Sequence, residues 1–349
     1  MENSAAITPK AVREDATLQH ELMRNEVFFP ALPGVKDAVE QALNEVHKHG
    51  DIFAAGLSAR IAAEINVPAE HVVVGAGSAA LLQELIRTQA GPGEEVVLAW
   101  PSFEAYPAMV ANVGATPVRV RLSDHRHDLD AMAAAVTDRT RLMLICNPNN
   151  PTGTVLGHDE LDRLLRALPS HVTVAVDEAY HEFADPVELA EGLELHKEDD
   201  RVCVVRTFSK AYGLLGSRVG YLVGHPPLIR VLSRTLPFFR ANALGQAAAL
   251  AALDAADEMR RRCAVIVAER NRIRSVLGDI GLLTPDSGGN FLWLPLGEEA
   301  EAFARFCTDR GVRVWGLPGE GVRVTIGDRS ACDAFVAAAA EYPGIGAQS

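Results

Sequence analysis

Short apolar runs, rich in β-branched residues, alternate with helical patterns through the first two thirds of the chain. SAALLQELIRTQ (78–89) and HDELDRLLRAL (158–168) place apolar residues at helical spacing and so predict amphipathic helices. The apolar runs predict buried strands over residues 71–75, 95–100, 117–122, 141–147, 172–178, 201–207 and 219–224. This alternation predicts an α/β fold, with a mostly parallel sheet and helices on both of its faces.

The pattern changes after about residue 238. The charge-rich segment 254–280 predicts one long helix. FLWLPL (291–296), VRVW (312–315) and VRVTIG (322–327) predict strands, with a helix between the first two and another at the end. Together they predict a smaller α+β domain. We therefore expect a large domain of residues 31–238 and a small domain formed by residues 1–30 with 239–349.

Composition narrows the class of protein. A length of 349 residues with 48% hydrophobic content allows a large core, and a formal charge of −13 excludes nucleic acid as the expected partner. No apolar run approaches the roughly eighteen residues of a membrane helix, and the N-terminus lacks a signal-peptide core, so we expect no membrane partner. Five cysteines without close spacing indicate neither a disulfide framework nor a metal site, which fits a reducing cytoplasm.

Four polar motifs follow predicted strands, where an α/β sheet gathers its ligand site. They are VGAGSAAL (74–81), CNPNNPTG (146–153), VAVDEAY (174–180) and VVRTFSKAYGLLGSRVGY (204–221). Each alone has an ordinary explanation, such as a helix cap, a proline turn, a paired acid or a solvated lysine. Together they offer an anion pocket, hydrogen-bond donors, an acid and an amine nucleophile, the groups that pyridoxal phosphate needs.

With these motifs in this order, followed by GVRVTIG (321–327), the sequence resembles the fold-type I pyridoxal-phosphate aminotransferases of the class I/II superfamily. It is most similar to the branch of histidinol-phosphate and aromatic-amino-acid (phenylalanine) aminotransferases. The resemblance implies a cytoplasmic homodimer with pyridoxal 5'-phosphate as cofactor. The implied reaction moves an amino group from an L-amino acid, phenylalanine being favoured or histidinol phosphate, to a 2-oxo acid such as 2-oxoglutarate.

The resemblance also implies roles for individual residues. Lys210 would form the Schiff base and carry the substrate proton, and Asp177 would pair with the pyridine nitrogen. Asn150 and Tyr180 would bond the phenolic oxygen, and Phe103 would stack on the ring. The residues that match the phosphate-binding positions are Gly77, Ser78, Ala79, Thr207, Ser209 and Arg218.

Substrate binding is expected from Arg323, which matches the arginine that grips the substrate's anionic group, and from Asn25, Phe28 and Asn150. Phe28 belongs to an aromatic pair that favours an apolar substrate side chain, although core packing would use it equally well. The alternative for Arg323 is a surface charge on an edge strand. A structural role is expected for Glu178, His181, Cys146 and Cys203.

The chain departs from the family pattern in HKHGDIFAAG (47–56), which lacks the Tyr-Pro pair that reaches the partner's cofactor phosphate. His49 or Phe53 is the candidate for that place, and an exposed turn histidine is the alternative for His49. The departure leaves open a second hypothesis, a lyase, cyclase or oxidase that uses the same cofactor. A third, a non-catalytic binding module, is disfavoured because suitable residues occupy all the cofactor-binding positions.

Overall fold

The computed structural model describes residues 18–343 and contains the predicted alternation of strands and helices. Residues 1–17, part of the predicted small domain, and 344–349 lie outside the described residues. The strands are β1 (His20–Glu21), β2 (Val72–Gly75), β3 (Glu95–Trp100), β4 (Thr116–Arg121), β5 (Thr140–Cys146), β6 (Thr173–Asp177), β7 (Val202–Thr207), β8 (Gly220–Val223), β9 (Phe291–Gly297), β10 (Val312–Arg313), β11 (Trp315–Leu317) and β12 (Glu320–Thr325).

The helices cover both halves of the chain. They are α1 (Val35–Leu43), α2 (Ala55–Glu64), α3 (Ser78–Gln89), α4 (Tyr106–Asn112), α5 (Leu129–Ala134), α6 (His158–Ala167), α7 (Gly192–Glu198), α8 (Pro226–Thr235), α9 (Ala243–Asp254), α10 (Ala256–Asp279), α11 (Ala300–Asp309) and α12 (Arg329–Ala340). Short 3₁₀ turns occur at Ala69–His71, His181–Phe183 and Leu215–Ser217. The two helices predicted from periodicity, α3 and α6, lie where the apolar spacing places them.

The main sheet has seven strands in the order β2-β8-β7-β6-β5-β3-β4. All neighbouring pairs are parallel except those made by β8, which runs antiparallel to both β2 and β7. The predicted mostly parallel sheet is therefore confirmed. Because β8 runs in the opposite direction, its first residue, Gly220, lies beside the last residues of β2 and β7, Gly75 and Thr207.

The sheet is covered by helices on both faces, which explains its continuous apolar strands. Successive residues of β3 alternate between two cores: Val97 packs with residues of α2 and α6, whereas Leu98 packs with residues of α3, α4 and α8. This two-sided burial confirms the predicted α/β architecture.

The second sheet is antiparallel, in the order β11-β12-β9. The prediction of one strand over 312–315 is wrong. Val312 and Arg313 pair in parallel with β1, whereas Trp315 begins the strand that pairs with β12. The chain changes partners at the buried Val314, and this pairing with a distant segment leaves no local signal in the sequence.

The seven-stranded sheet lies inside the predicted large domain, whereas the three-stranded sheet and the two-stranded pair of β1 and β10 lie inside the predicted small domain. Helix α1 packs against α9 across the predicted boundary. The boundary itself stays a prediction. Among residues 18–343, no helix combines the length and the apolar character that crossing a bilayer requires.

Candidate active site

A cavity of about 340 Å³ lies where β2, β6 and β7 end. All the residues that the sequence predicts for cofactor or substrate binding line it, except Gly77 and Phe28. Gly77 precedes the lining residue Ser78, whereas Phe28 is partly exposed and packs against Phe29, with 4.3 Å between the ring centroids. The carboxyl ends of the strands therefore bring residues from distant segments to one place.

Asp177, the last residue of β6, is buried in this cavity. Burial raises the pKa of its carboxyl to about 6, because the charged form loses its hydration. The hydroxyl of Tyr106 donates a hydrogen bond of 2.7 Å to Oδ2, and Oδ1 has no hydrogen-bond partner among the described residues. A buried carboxylate oxygen without a partner is costly, so this atom suits a donor from a ligand.

Lys210 follows the end of β7 and extends into the same cavity. Its ammonium donates to the backbone carbonyls of Arg24 and Asn25, at 3.3 and 3.2 Å. Burial, reinforced by the nearby positive charge of Arg323, lowers the pKa of Lys210 to about 8. At pH 7 roughly a tenth of such an amine is uncharged and able to act as a nucleophile.

Tyr180 and Asn150 each keep a hydrogen-bond donor free for the cavity. The hydroxyl oxygen of Tyr180 accepts a 3.0 Å bond from Nδ2 of Asn25, so its own proton can be donated elsewhere. Asn150 Oδ1 accepts from Arg323, which leaves the amide Nδ2. Burial raises the pKa of Tyr180, which keeps this hydroxyl protonated. Both side chains can therefore donate to one ligand oxygen.

Arg323 comes from β12 of the small sheet and also lines the cavity. One terminal nitrogen donates to Asn150 and the other to the carbonyl of Met23 at 2.7 Å, while the buried Nε has no partner among the described residues. The guanidinium also lies over the ring of Trp315, 4.7 Å from its centroid. A guanidinium held in this way is preorganised for an anionic group.

The glycine-rich turn after β2 forms an anion-binding cradle. Gly77 has φ 90°, a conformation that glycine adopts readily, and helix α3 begins at Ser78 without a side-chain cap. A Cβ at Gly77 would lie 2.7 Å from the guanidinium of Arg218, and one at Gly220 would lie 2.5 Å from the backbone nitrogen of Ser78. The two glycines thus let the helix start, β8 and Arg218 converge, which favours a phosphate.

The remaining motif residues support the cavity from outside. In CNPNNPTG, the Asn149 side chain accepts from Ser102 at 2.8 Å and donates to Thr152 at 2.9 Å, which fixes the loop that carries Asn150. Glu178 accepts 2.7 Å bonds from Arg206 and from the backbone of Gly192. It does not line the cavity, in agreement with its expected structural role.

Several lining residues escape sequence reasoning. Met23, Glu104 and Trp315 line the cavity. Tyr106 is not a lining residue, but it donates a hydrogen bond to the lining residue Asp177. The segment WPSFEAY (100–106) contains the only available signal, an aromatic pair close to a predicted strand end. His49 lies outside the cavity lining and contacts Phe239, with 5.3 Å between the ring centroids.

The sheet and its cavity have the architecture of fold-type I pyridoxal-phosphate enzymes. The solved structure of histidinol-phosphate aminotransferase from Sinorhizobium meliloti in complex with pyridoxal-5'-phosphate superposes with a TM-score of 0.86. The superposition covers 93% of this chain and 90% of that one, at 29% sequence identity.

The family model for aminotransferase class I and II matches residues 20–338, and the chain belongs to this family. The chain is 47% identical to an aromatic amino acid aminotransferase of Thermobifida fusca, over 92% of this chain and 90% of that protein. It is 44% identical to the aromatic amino acid aminotransferase of Streptomyces coelicolor, over 95% of this chain and 93% of that protein.

Proposed function

We propose that the protein is a pyridoxal-phosphate-dependent aminotransferase that moves an amino group from an aromatic L-amino acid to a 2-oxo acid such as 2-oxoglutarate. The proposal rests mainly on one observation. The Lys210 amine and the Asp177 carboxyl lie in the same cavity, which the first residues of helix α3 also line. Family membership and the aromatic amino acid aminotransferases among its relatives support it.

The cavity fits pyridoxal phosphate at both of the cofactor's polar ends. The unpartnered Oδ1 of Asp177 would accept the pyridine N–H, and Asn150 with Tyr180 would donate to the phenolic oxygen. Phe103 would contact the ring face. The phosphate would be held at the start of α3 by Ser78 and Ala79, next to Gly77, together with Thr207, Ser209 and Arg218.

Bound pyridoxal phosphate supplies an electron sink that makes the Cα–H bond of an amino acid easier to break. Lys210 takes and returns the proton, because its lowered pKa of about 8 keeps part of the amine uncharged near neutral pH. Asp177 would keep a proton on the pyridine nitrogen, since burial makes the charge of its carboxylate costly unless a cation lies beside it. Tyr180 stays protonated and acts as a donor.

Arg323 would bind the substrate carboxylate through its unpartnered Nε. Trp315 and Leu215 also line the cavity and offer apolar surface to an aromatic side chain. Asn25 lines the cavity and donates through Nδ2 to the Tyr180 hydroxyl, and its predicted contact with the substrate stays a prediction. Phe28 is not brought into the cavity, and its predicted substrate contact stays a prediction.

Histidinol phosphate is the second candidate donor. Arg24 lines the cavity in addition to Arg323 and is exposed, so it is able to meet a phosphate on a substrate side chain. The apolar lining favours the aromatic donor. The relatives named aromatic amino acid aminotransferases also favour it.

We also propose a cytoplasmic homodimer. Phe53, Phe238 and Phe239 form an exposed aromatic patch. Phe239 has φ 63°, a left-handed conformation that is unfavourable for a bulky residue, and the ring of His49 packs against its ring. Exposed aromatic clusters mark interfaces, and a second copy is the occupant that the family implies. The five cysteines are buried and unpaired, which supports a reducing compartment.

The decisive experiment supplies the purified, cofactor-loaded protein with ¹⁵N-phenylalanine and 2-oxoglutarate and measures ¹⁵N-glutamate, phenylpyruvate and ammonia together. We expect one labelled glutamate for each phenylpyruvate and no ammonia. Histidinol phosphate, offered in competition at equal concentration, should be the poorer donor. Ammonia or carbon dioxide in place of glutamate would support the lyase or oxidase alternative.

Lys210→Ala and Lys210→Arg are the controls, and both should lose amino transfer. Borohydride reduction of the wild-type protein should attach the cofactor to the peptide that contains Lys210, as mass spectrometry would show. Attachment to another lysine would overturn the assignment of Lys210.

A further inference from the structure

Three histidines from distant parts of the sequence converge on the edge of the main sheet. One ring nitrogen from each of His71, His196 and His225 lies within 4.8 Å of the other two. Nδ1 of His71 is 3.1 Å from Nε2 of His196. A tetrahedral zinc ion separates its nitrogen ligands by about 3.3 Å. The distance between His71 and His196 is already close to this value, and small side-chain movements would bring His225 to it. Within residues 18–343 no other histidine, cysteine or carboxylate trio is so arranged.

Backbone carbonyls orient two of these rings. Nδ1 of His196 is 2.9 Å from the carbonyl oxygen of Val202, and Nε2 of His225 is 2.8 Å from that of His196. A carbonyl accepts only, so each of these nitrogens carries the proton. In the neutral rings, Nε2 of His196 and Nδ1 of His225 are then the lone-pair atoms. Protein ligands of metals are commonly oriented by such bonds at the other ring nitrogen.

A carboxylate completes the set. Oδ1 of Asp200 lies 3.3 Å from Nδ1 of His225. A carboxylate oxygen and a ring lone pair both accept, so they repel each other unless a proton or a metal ion lies between them. Asp200 is well exposed and can adjust its position, whereas His196 is buried and fixed.

The cluster is remote from the cavity of the proposed active site. His71 directly precedes β2, and His225 follows the end of β8, whose Val223 pairs with Val72. The glycine-rich turn follows the other end of β2, four residues away, which is about 13 Å along a strand. The trio thus joins the start of β2, helix α7 and the start of α8.

We propose that His71, His196 and His225 form a binding site for a divalent late first-row metal ion such as Zn²⁺, with Asp200 as the fourth ligand. Imidazole nitrogens with one carboxylate suit Zn²⁺, Ni²⁺ or Cu²⁺ rather than Mg²⁺ or Ca²⁺. A site with four protein ligands is closed, so the ion stabilises the fold and takes no part in amino transfer.

The test is calorimetric titration of Zn²⁺ into chelator-treated, cofactor-loaded protein near pH 7.5. We expect one ion per chain with micromolar or tighter affinity, and a rise of about 3 °C or more in the unfolding midpoint at saturating Zn²⁺. Co²⁺ in place of Zn²⁺ should give the intense visible absorption of a four-coordinate site. Neither readout depends on amino transfer, so failure of the proposed enzymatic function would leave this result standing.

His71→Asn and His225→Asn should each weaken Zn²⁺ binding more than the roughly 10- to 100-fold that loss of a ligand's hydrogen-bond partner costs. The exposed His171→Asn is the matched control and should bind as the wild type does. Cofactor absorbance checks folding of every variant. Absence of a saturable site in the wild type, or unchanged binding in both trio variants, would overturn the proposal. The contact between His225 and Asp200 would then be explained by a proton shared between them.

Discussion

Tyr106 donates a 2.7 Å hydrogen bond to Oδ2 of Asp177, and Oδ1 of the same buried carboxyl has no partner among the described residues. The two oxygens are therefore unequal. One is held by the protein, and the other is available to a cationic or N–H group of a ligand. The bond also favours the charged form of Asp177 against the burial that raises its pKa.

We first predict that Tyr106→Phe weakens cofactor binding by about tenfold, because losing a hydrogen bond to a charged group costs about 1.5 kcal/mol. The ring remains, so packing in the core is retained. Titration of the cofactor-free protein with pyridoxal phosphate, followed by fluorescence, measures the change. Tyr342→Phe is the control, since that hydroxyl also donates to a carboxylate, Glu299, but on the surface. Equal affinity in wild type and Tyr106→Phe would contradict the role of Tyr106.

The second prediction concerns the stability of the cofactor-free protein. The pKa of Asp177 is raised from 3.8 to about 6, so the folded state holds a proton that the unfolded state has lost. The contribution of Asp177 is favourable below pH 4 and is lost as the pH rises through 6. At pH 8 its charge costs up to about 3 kcal/mol.

Asp177→Asn should therefore raise the free energy of unfolding of the cofactor-free protein at pH 8 and change it little at pH 4. Urea unfolding at the two pH values measures this difference. The same variant should lose cofactor affinity and amino transfer, because it cannot balance the charge of a pyridinium. A variant less stable than the wild type at pH 8 would show that the Asp177 charge is compensated in the free protein.

Thirdly, Arg323→Gln should raise the pKa of Lys210 above its value of about 8, because burial and then the positive charge of Arg323 are the largest causes that lower it. The pH dependence of acylation of Lys210 in the cofactor-free protein, read by peptide mass, gives this pKa directly. Arg323→Lys keeps the charge and should leave the midpoint near 8. Both variants should raise KM for the amino acid, since neither glutamine nor lysine has a donor that matches the unpartnered Nε–H of Arg323. Identical midpoints for the Gln and Lys variants would contradict the electrostatic coupling.

A fourth prediction tests the cradle for the phosphate. Gly220→Ala would place a methyl group 2.5 Å from the backbone nitrogen of Ser78 and 2.8 Å from the carbonyl carbon of Gly77. Backbone cannot move aside as a flexible side chain does, so we expect a cost of about 1–3 kcal/mol, divided between stability and affinity for pyridoxal phosphate. Thermal unfolding with and without the cofactor separates the two. Gly216→Ala is the control, because its Cβ would meet no atom within 4 Å and the protein should behave as the wild type.

Most of the fold follows from the sequence because the main strands are buried on both faces. Their apolar runs are continuous. The polar residues of these segments lie at the strand ends, and there Asp177 and Lys210 indicate where the site is. The motifs are local, so their chemistry can be inferred from neighbours in the chain. These conditions explain why the predicted site residues lie in one cavity, apart from Gly77 beside it and Phe28 outside it.

What the sequence does not reveal are contacts between residues far apart in the chain. Tyr106 resembles any core aromatic until the fold brings it to Asp177, 71 residues further on. His71 and His196 are separated by 125 residues, and neither has a neighbour that suggests a metal site. The division of residues 312–315 between two sheets depends on β1, at the other end of the chain. Pairing partners, unlike helical periodicity, have no signature within the segment itself.

The last prediction is that the aromatic patch forms the interface of the proposed homodimer. Phe238 and Phe239 are 74% and 55% exposed, and Phe53, itself half exposed, contacts Phe238 with 6.2 Å between ring centroids. Moving such rings out of water at an interface would lower the free energy, because their apolar surface is then buried. Truncating an interface aromatic residue often weakens binding by about 2 kcal/mol or more. Phe238→Ser with Phe239→Ser should weaken the dimer by at least about 100-fold, as measured by light scattering after size exclusion over a range of concentrations. Leu283→Ser removes a side chain that is 78% exposed elsewhere and should leave the dimer intact. A wild-type protein that is monomeric at micromolar concentration, or a double variant that stays dimeric, would exclude this patch as the interface.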